Sequence, residues 1–229
     1  MENILLPSTI HFEPGSNEHE SRLVIEPFFH GYGRTIGNAL RRVLLSSLTG
    51  AAVTAVKIKG VPHEFTAIPG VQEDAVDVIL NLKGLRLKMH SEQPIKLMLK
   101  KSGKGPVTAK DIEANADVEV VNKEMHICTI TDDKGEVEME IIVGRGRGYV
   151  PTEEREPTGE IGMIAVDALY SPVRNVGFQV VDTRVGEITN YDKLVMDIQT
   201  DGSLTPEEAV KQSVAILLDH YNLIAQHLV

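Results

Sequence analysis

The sequence predicts an α+β protein with a discontinuous first subdomain. The two ends of the chain, residues 1–50 and 173–229, build an antiparallel sheet with two main helices. A mostly β subdomain, residues 51–172, is inserted between them. Three observations predict this plan. Residues 23–53 read as strand, glycine turn and helix. Residues 176–229 read as two strands followed by a strongly started helix. The stretch between them alternates apolar and polar residues in short runs and holds one helix candidate.

At the N-terminal end, Leu23 and Ile25 alternate with polar neighbours, the period of a half-buried strand. Gly31 and Gly33 bracket Tyr32 and permit a tight turn. Thr35 stands where an N-cap belongs. Ile36, Leu40, Val43, Leu44 and Ser47 then recur at helical spacing, and Gly50 is placed to end the helix in the left-handed conformation. Arg41 and Arg42 sit on this otherwise apolar cylinder, roughly 100° apart. At least one of them must leave the apolar stripe, either for water or for a carboxylate or carbonyl on a partner.

In the middle region the strand candidates are Val53 to Ile58, Leu85 to Met89, Ile95 to Leu99, Val118 to Val121, His126 to Ile130 and Val137 to Val143. Thr131 to Glu136 reads as a hairpin turn. Gln72 to Leu82 is the helix candidate, with Glu73 and Asp74 suited to its positive end. Towards the C-terminus, Val176 to Val180 and Leu194 to Gln199 alternate like strands. Thr205-Pro206-Glu207-Glu208 combines an N-cap, a proline at the first helical position and a capping-box glutamate. The helix that follows carries Val210, Val214, Leu217, Tyr221, Ile224 and Leu228 in alternating steps of four and three, a heptad seam. Ala209, Ile216 and Leu223 form a second apolar line. An ordinary core helix accounts for the spacing nearly as well as a partner helix does. The length and the two lines favour a partner, a second copy of the chain among the candidates.

Composition narrows the function. The 229 residues are 42% hydrophobic and 24% charged, ordinary for a globular protein able to bury a core. A formal net charge of −10 and 4% aromatics argue against a stand-alone nucleic-acid-binding module. The lone Cys128 excludes an intramolecular disulfide and fits a reducing compartment. No apolar run approaches the ~20 residues of a membrane span, and the N-terminus lacks a signal-peptide pattern. A cytoplasmic protein with no membrane partner is expected.

Candidate chemistry is sparse. Gly31-Tyr32-Gly33-Arg34-Thr35-Ile36-Gly37 follows a strand and opens a helix, as a dinucleotide site would. Its spacing is one residue too long, and the next strand ends in Lys57 and Lys59 without an acid for a ribose hydroxyl. Arg145-Gly146-Arg147-Gly148 ends a strand candidate and precedes Glu153, Glu154 and Glu156, so a strand end or exposed loop is the better reading, with a contact to a partner protein or to nucleic acid in a larger assembly left open. Asp74 with Asp77, and Glu136 with Glu138 and Glu140, lack the tight acidic turn of a magnesium site. The histidines show no zinc spacing, and no nucleophile elbow is present. No catalytic residue, metal or cofactor is expected in this chain.

Several segments carry a family resemblance, in order along the chain. They are Glu26-Pro27, Gly31-Tyr32-Gly33, Thr35, Gly37 to Arg42, Leu44 to Ser47, His63 to Phe65, Gly70 to Asp74, Asn81 to Lys83, Gly105 to Ala109, Arg145 to Pro151, Val166-Asp167, Tyr170 to Val173 and Asp192 to Leu194. Over nearly its whole length the sequence resembles the N-terminal domain of the bacterial RNA polymerase alpha subunit. The resemblance implies an α+β dimerisation subdomain interrupted by an insert. It also implies a homodimer that recruits the beta and beta prime subunits into core RNA polymerase, whose nucleotidyltransferase chemistry and magnesium belong to those large subunits. Carried onto this sequence, Arg42 is the leading beta contact, with Arg41, Asn38, Leu45 and Ser46 nearby. The dimer contact falls on Phe28, Tyr32, Ile36, Val43 and Leu44, and on Val210, Val214, Leu217, Tyr221, Ile224 and Leu228. Family members usually continue to a small C-terminal DNA-binding domain, whereas this sequence stops at Val229. Promoter DNA, and with it the nucleoid, is expected to be reached only through that domain or the assembled complex.

Overall fold

The structure, a computed structural model, describes residues 4–155 and 160–228, so Glu156 lies outside the described residues. In chain order, β1 (Thr9–Pro14) and β2 (Glu20–Phe28) lead into α1 (Tyr32–Ser46) and then β3 (Thr49–Ile58). α2 (Ala75–Leu82) follows, then β4 (Leu87–Met89), β5 (Ile95–Ser102), β6 (Gly105–Thr108), β7 (Val118–Val120), β8 (His126–Ile130) and β9 (Glu136–Arg147). Next come β10 (Tyr149–Val150), β11 (Ile164–Ala165) and β12 (Ala168–Leu169), and finally β13 (Val173–Val185), β14 (Ile188–Thr200) and α3 (Pro206–His227). The chain forms two compact units. One runs to Leu48 and resumes at Ser171; the other is Thr49–Tyr170. The boundaries expected at 50 and 172 each fall two residues earlier, at 48 and 170, the first because Thr49 and Gly50 already pair with Arg147 and Gly146 as the start of β3.

The first unit is a four-stranded antiparallel sheet, in the order β1-β2-β14-β13, with α1 and α3 on one face. Its core joins Leu23 and Ile25 of β2, Leu40 and Leu44 of α1, Val176 of β13, Leu194 and Met196 of β14, and Ala209 of α3. The expected alternation in β2 is not what forms. Val24 is buried as well as Leu23 and Ile25, opposite Val195 on the other face of the sheet. Between Phe28 and Ile25 the ladder to β14 slips by one residue, which accommodates Pro27 and its missing N–H. Beside this bulge, the Glu26 carboxylate accepts from Lys193 Nζ at 3.1 Å and from Thr183 Oγ1 at 3.0 Å, tying three strands together.

Two expectations about α1 are corrected. Its N-cap is Gly31, at φ 83°, and not Thr35, whose hydroxyl donates to the Gly31 carbonyl inside the first turn. Its C-cap is Ser47, whose N–H reaches the Val43 carbonyl, while Gly50 belongs to β3. At α3 the capping box forms as read. The Glu208 N–H donates to Thr205 Oγ1 at 3.2 Å, and the Thr205 N–H donates to the Glu208 carboxylate at 3.3 Å.

The second unit centres on the sheet β5-β9-β3-β4-β7, with β11 added to β3; β6 pairs β8 and β10 pairs β12. α2 begins at an Asp74 N-cap that accepts from the Asp77 N–H, and it buries Val78 and Leu82. The turn at 132–135 forms, but it does not close a hairpin: β8 pairs with β6, and β9 pairs with β5 and β3. The glutamates Glu136, Glu138 and Glu140 meet Lys96 and Lys100 of β5 and Lys59 just past the end of β3, so they serve as a charge ladder across a sheet face.

Burial pushes the Glu26 carboxyl up, but the hydrogen bonds from Lys193 and Thr183 outweigh it and leave its pKa below the ordinary value. A depressed folded-state pKa contributes stability that is complete above the unfolded value and lost as pH falls through the folded one. The melting temperature of Glu26→Gln should therefore lie below that of the wild type at neutral pH. The gap should close as the pH falls below the ordinary carboxylate range, which melts in a pH series would show.

Candidate subunit interface

α1 lies directly on β13 and β14 because two of its residues lack side chains. A Cβ on Gly33 would come within 2.9 Å of Asp192 Cβ, and one on Gly37 within 2.8 Å of both Leu194 and Phe178. The two glycines are four residues apart and form one stripe along the helix. Leu40 and Leu44 continue that stripe into the core. The opposite face is polar and solvated: Arg34, Asn38, Arg41, Arg42 and Ser46 are all exposed. None of the three arginines forms an ion pair among the described residues. Ser46 Oγ is turned back to donate to the Arg42 carbonyl at 2.8 Å. Leu45 is half-buried against the core, and its carbonyl accepts from Ser171 Oγ.

The structure thus brings Asn38, Arg41, Arg42 and Ser46 together on one accessible surface. It treats the expected apolar contact residues unevenly. Phe28 and Leu44 are corrected: both belong to the unit's own core, Leu44 with 0% exposure, because the sheet and α1 close over them. Ile36 and Val43 are half-buried, and Tyr32 is exposed with its ring edge-on to Phe29.

α3 divides along its length. Pro206, Ala209 and Ser213 are buried, and Ile216 packs beside them. Val210 and Leu217 of the heptad seam are half-buried against the same core, whereas Val214 is exposed. Beyond Leu217 no side chain of the helix is covered. Tyr221 is 57% exposed, Ile224 55% and Leu228 81%, and Leu218 and Leu223 stand out with them. Leu218 was absent from the sequence reading, since it lies off the seam. The exposed arc is wider than a heptad stripe, and it lies beside the line that faces the chain's own sheet.

Sequence reasoning also missed Asp192. Its Oδ2 accepts from the Gly31 N–H at 2.9 Å and the Gly33 N–H at 3.1 Å, capping α1 from β14. The Cys128 thiol is buried, and that burial pushes its pKa up to about 12, so it holds no thiolate at neutral pH. Among the described residues no His, Cys, Asp or Glu cluster is gathered as for a metal ion, and no helix is long and apolar enough to cross a membrane.

Residues 56–171 match the family described as the RNA polymerase Rpb3/RpoA insert domain. Over 225 residues the chain is 46% identical to the DNA-directed RNA polymerase subunit alpha of Aquifex aeolicus (strain VF5), spanning 98% of this chain and 71% of that protein. The chain belongs to the RNA polymerase alpha-subunit family. In this alpha-family chain the matched insert runs from within β3 to Ser171, and the helices α1 and α3 fall outside it.

The two classes of apolar residue should separate on truncation. Leu44→Ala should cost about 2–5 kcal/mol of unfolding free energy, as a core cavity does. Ile224→Ala should stay within about 0.5 kcal/mol when measured by denaturant melts at high dilution.

Proposed function

We propose that the chain is a non-catalytic scaffold subunit of DNA-directed RNA polymerase. Two copies pair through the exposed faces of α3 and the flank of α1, and the dimer receives the beta and beta prime subunits. The observation that carries this reading is the uncovered second half of α3, with Leu218, Tyr221, Leu223, Ile224 and Leu228 in water. These side chains are 52–81% exposed, so about 60% of the roughly 1.5–3 kcal/mol of full burial is still to be gained by each, and five on each of two copies total about 9–18 kcal/mol. Association costs about 4–15 kcal/mol. A two-fold contact of this type is self-complementary and closes on itself.

The polar face of α1 supplies the second function. Arg41 and Arg42 offer planar guanidinium groups without an ion pair among the described residues, beside the Asn38 amide, on a helix whose position is fixed by the sheet behind it. A carboxylate or carbonyl on beta is the complementary chemistry. Nucleotidyl transfer and its metal then reside in the large subunits, and this chain contributes their placement.

Light scattering across a dilution series should give a molar mass near twice 25.1 kDa. A monomer at micromolar concentration would overturn the pairing. Arg42→Ala should keep the dimer mass while weakening capture of beta by about 2–5 kcal/mol, the cost of stranding a partnered charge. Undiminished capture by the folded variant in a pull-down would refute the role given to Arg42.

A further inference from the structure

The turn from β2 into α1 is held from a distant strand. Asp192 lies in β14, 161 residues from Gly31 and 159 from Gly33, yet one oxygen of its carboxylate accepts from both N–H groups. The neighbouring side chains act on the same turn. His30 Nδ1 bonds the Asn190 carbonyl, and the Tyr191 ring packs edge-on against Phe29 at 6.4 Å and tilted by 31° against His30 at 5.2 Å. Asn190, Tyr191 and Asp192 therefore grip Phe29 to Gly33 with three kinds of contact.

The carboxylate answers a local need. α1 has no acidic residue in its first turn, where the helix dipole is positive, and Arg34 there adds a like charge. Gly31 offers no side-chain cap. Asp192 also faces Asp182 directly across the β13–β14 ladder, a like-charge pairing that strands avoid. The α1 amides offset that repulsion, so helix and hairpin each satisfy the other.

We infer that Asp192 is the positioning residue of the subunit-contact helix: it fixes the entry angle of α1, and through it the placement of Arg34, Asn38, Arg41 and Arg42. This rests on the scaffold reading above, for which α1 is the docking helix. One oxygen makes both bonds, so an amide in its place can keep them, whereas a methyl cannot.

The test compares Asp192→Ala, Asp192→Asn and a core control, Val176→Ala, in the full chain. Two readouts are taken: amide hydrogen exchange, and capture of the beta subunit in a pull-down. Asp192→Ala should speed exchange at Gly31 and Gly33 by about tenfold or more, leaving Leu23 and Met196 protected, and should weaken beta capture by a similar factor. Asp192→Asn should restore both to within about threefold of wild type. Val176→Ala should lower the melting temperature without touching capture. Unchanged exchange in Asp192→Ala overturns the clasp. Fast exchange with wild-type capture overturns positioning, as does equal loss in the Asn variant or in the core control. Failure of the wild-type chain to capture beta sinks the scaffold reading and the positioning role with it, while the exchange arm still decides the clasp.

Discussion

The close approach of α1 to β13 and β14 is the constraint on which the first unit depends. Helix and sheet usually stand apart by the thickness of their side chains. Here Gly33 and Gly37 remove that thickness at one end, and a single added Cβ would drive into Asp192, Leu194 or Phe178. Such contact fixes the rotation of the helix about its own axis. Once Gly33, Gly37, Leu40 and Leu44 must face the sheet, helical geometry leaves Arg34, Asn38, Arg41 and Arg42 no direction but outward. Packing on one side thereby determines the chemistry presented on the other.

α3 shows the complementary case, a helix whose sequence asks for more burial than its own unit supplies. Its first turns are anchored by the capping box and by Pro206, Ala209 and Ser213 on the core. An isolated helical extension is marginal in water without packing. The second half, rich in Leu and Ile, would thus gain order as well as burial from a partner that covered it. A surface that stabilises its own helix on association couples folding to assembly, as obligate subunits do.

What the sequence disclosed and what it withheld follow one physical division. Features set by local spacing were legible: the Thr205–Glu208 capping box, the strand at His126–Ile130, α2, and the exit of at least one of Arg41 and Arg42 from the apolar stripe of α1, where both prove exposed. Features set by partners far along the chain were not. Thr35 has the chemistry of a cap, but α1 is capped by a carboxylate 161 residues from Gly31, and no short-range pattern announces that. The turn at 132–135 is chemically a hairpin turn, yet the strands on either side find other partners, because pairing is decided by the whole sheet. Leu44 and Tyr221 both lie on apolar helical stripes, and periodicity cannot tell a stripe that meets its own core from one left in water.

The distribution of paired and unpaired charge supplies a last step. On the second unit Lys59, Lys96 and Lys100 are matched by Glu136, Glu138 and Glu140 across neighbouring strands, so that sheet face is electrostatically closed. On α1 there are three arginines and no acid, in a chain whose net charge is −10. A solvated guanidinium with no ion-pair partner among the described residues has none of those pairs to break before it binds, so its differential interaction is available to an incoming carboxylate. Lysine–glutamate pairs would have to be exchanged rather than formed, at little net gain. The positive helix in an acidic chain is also a local sign reversal, which orients approach of a complementary surface before contact and excludes a like one. Under the scaffold reading, selectivity for one docking face would follow from the arginines that the chain leaves unneutralised.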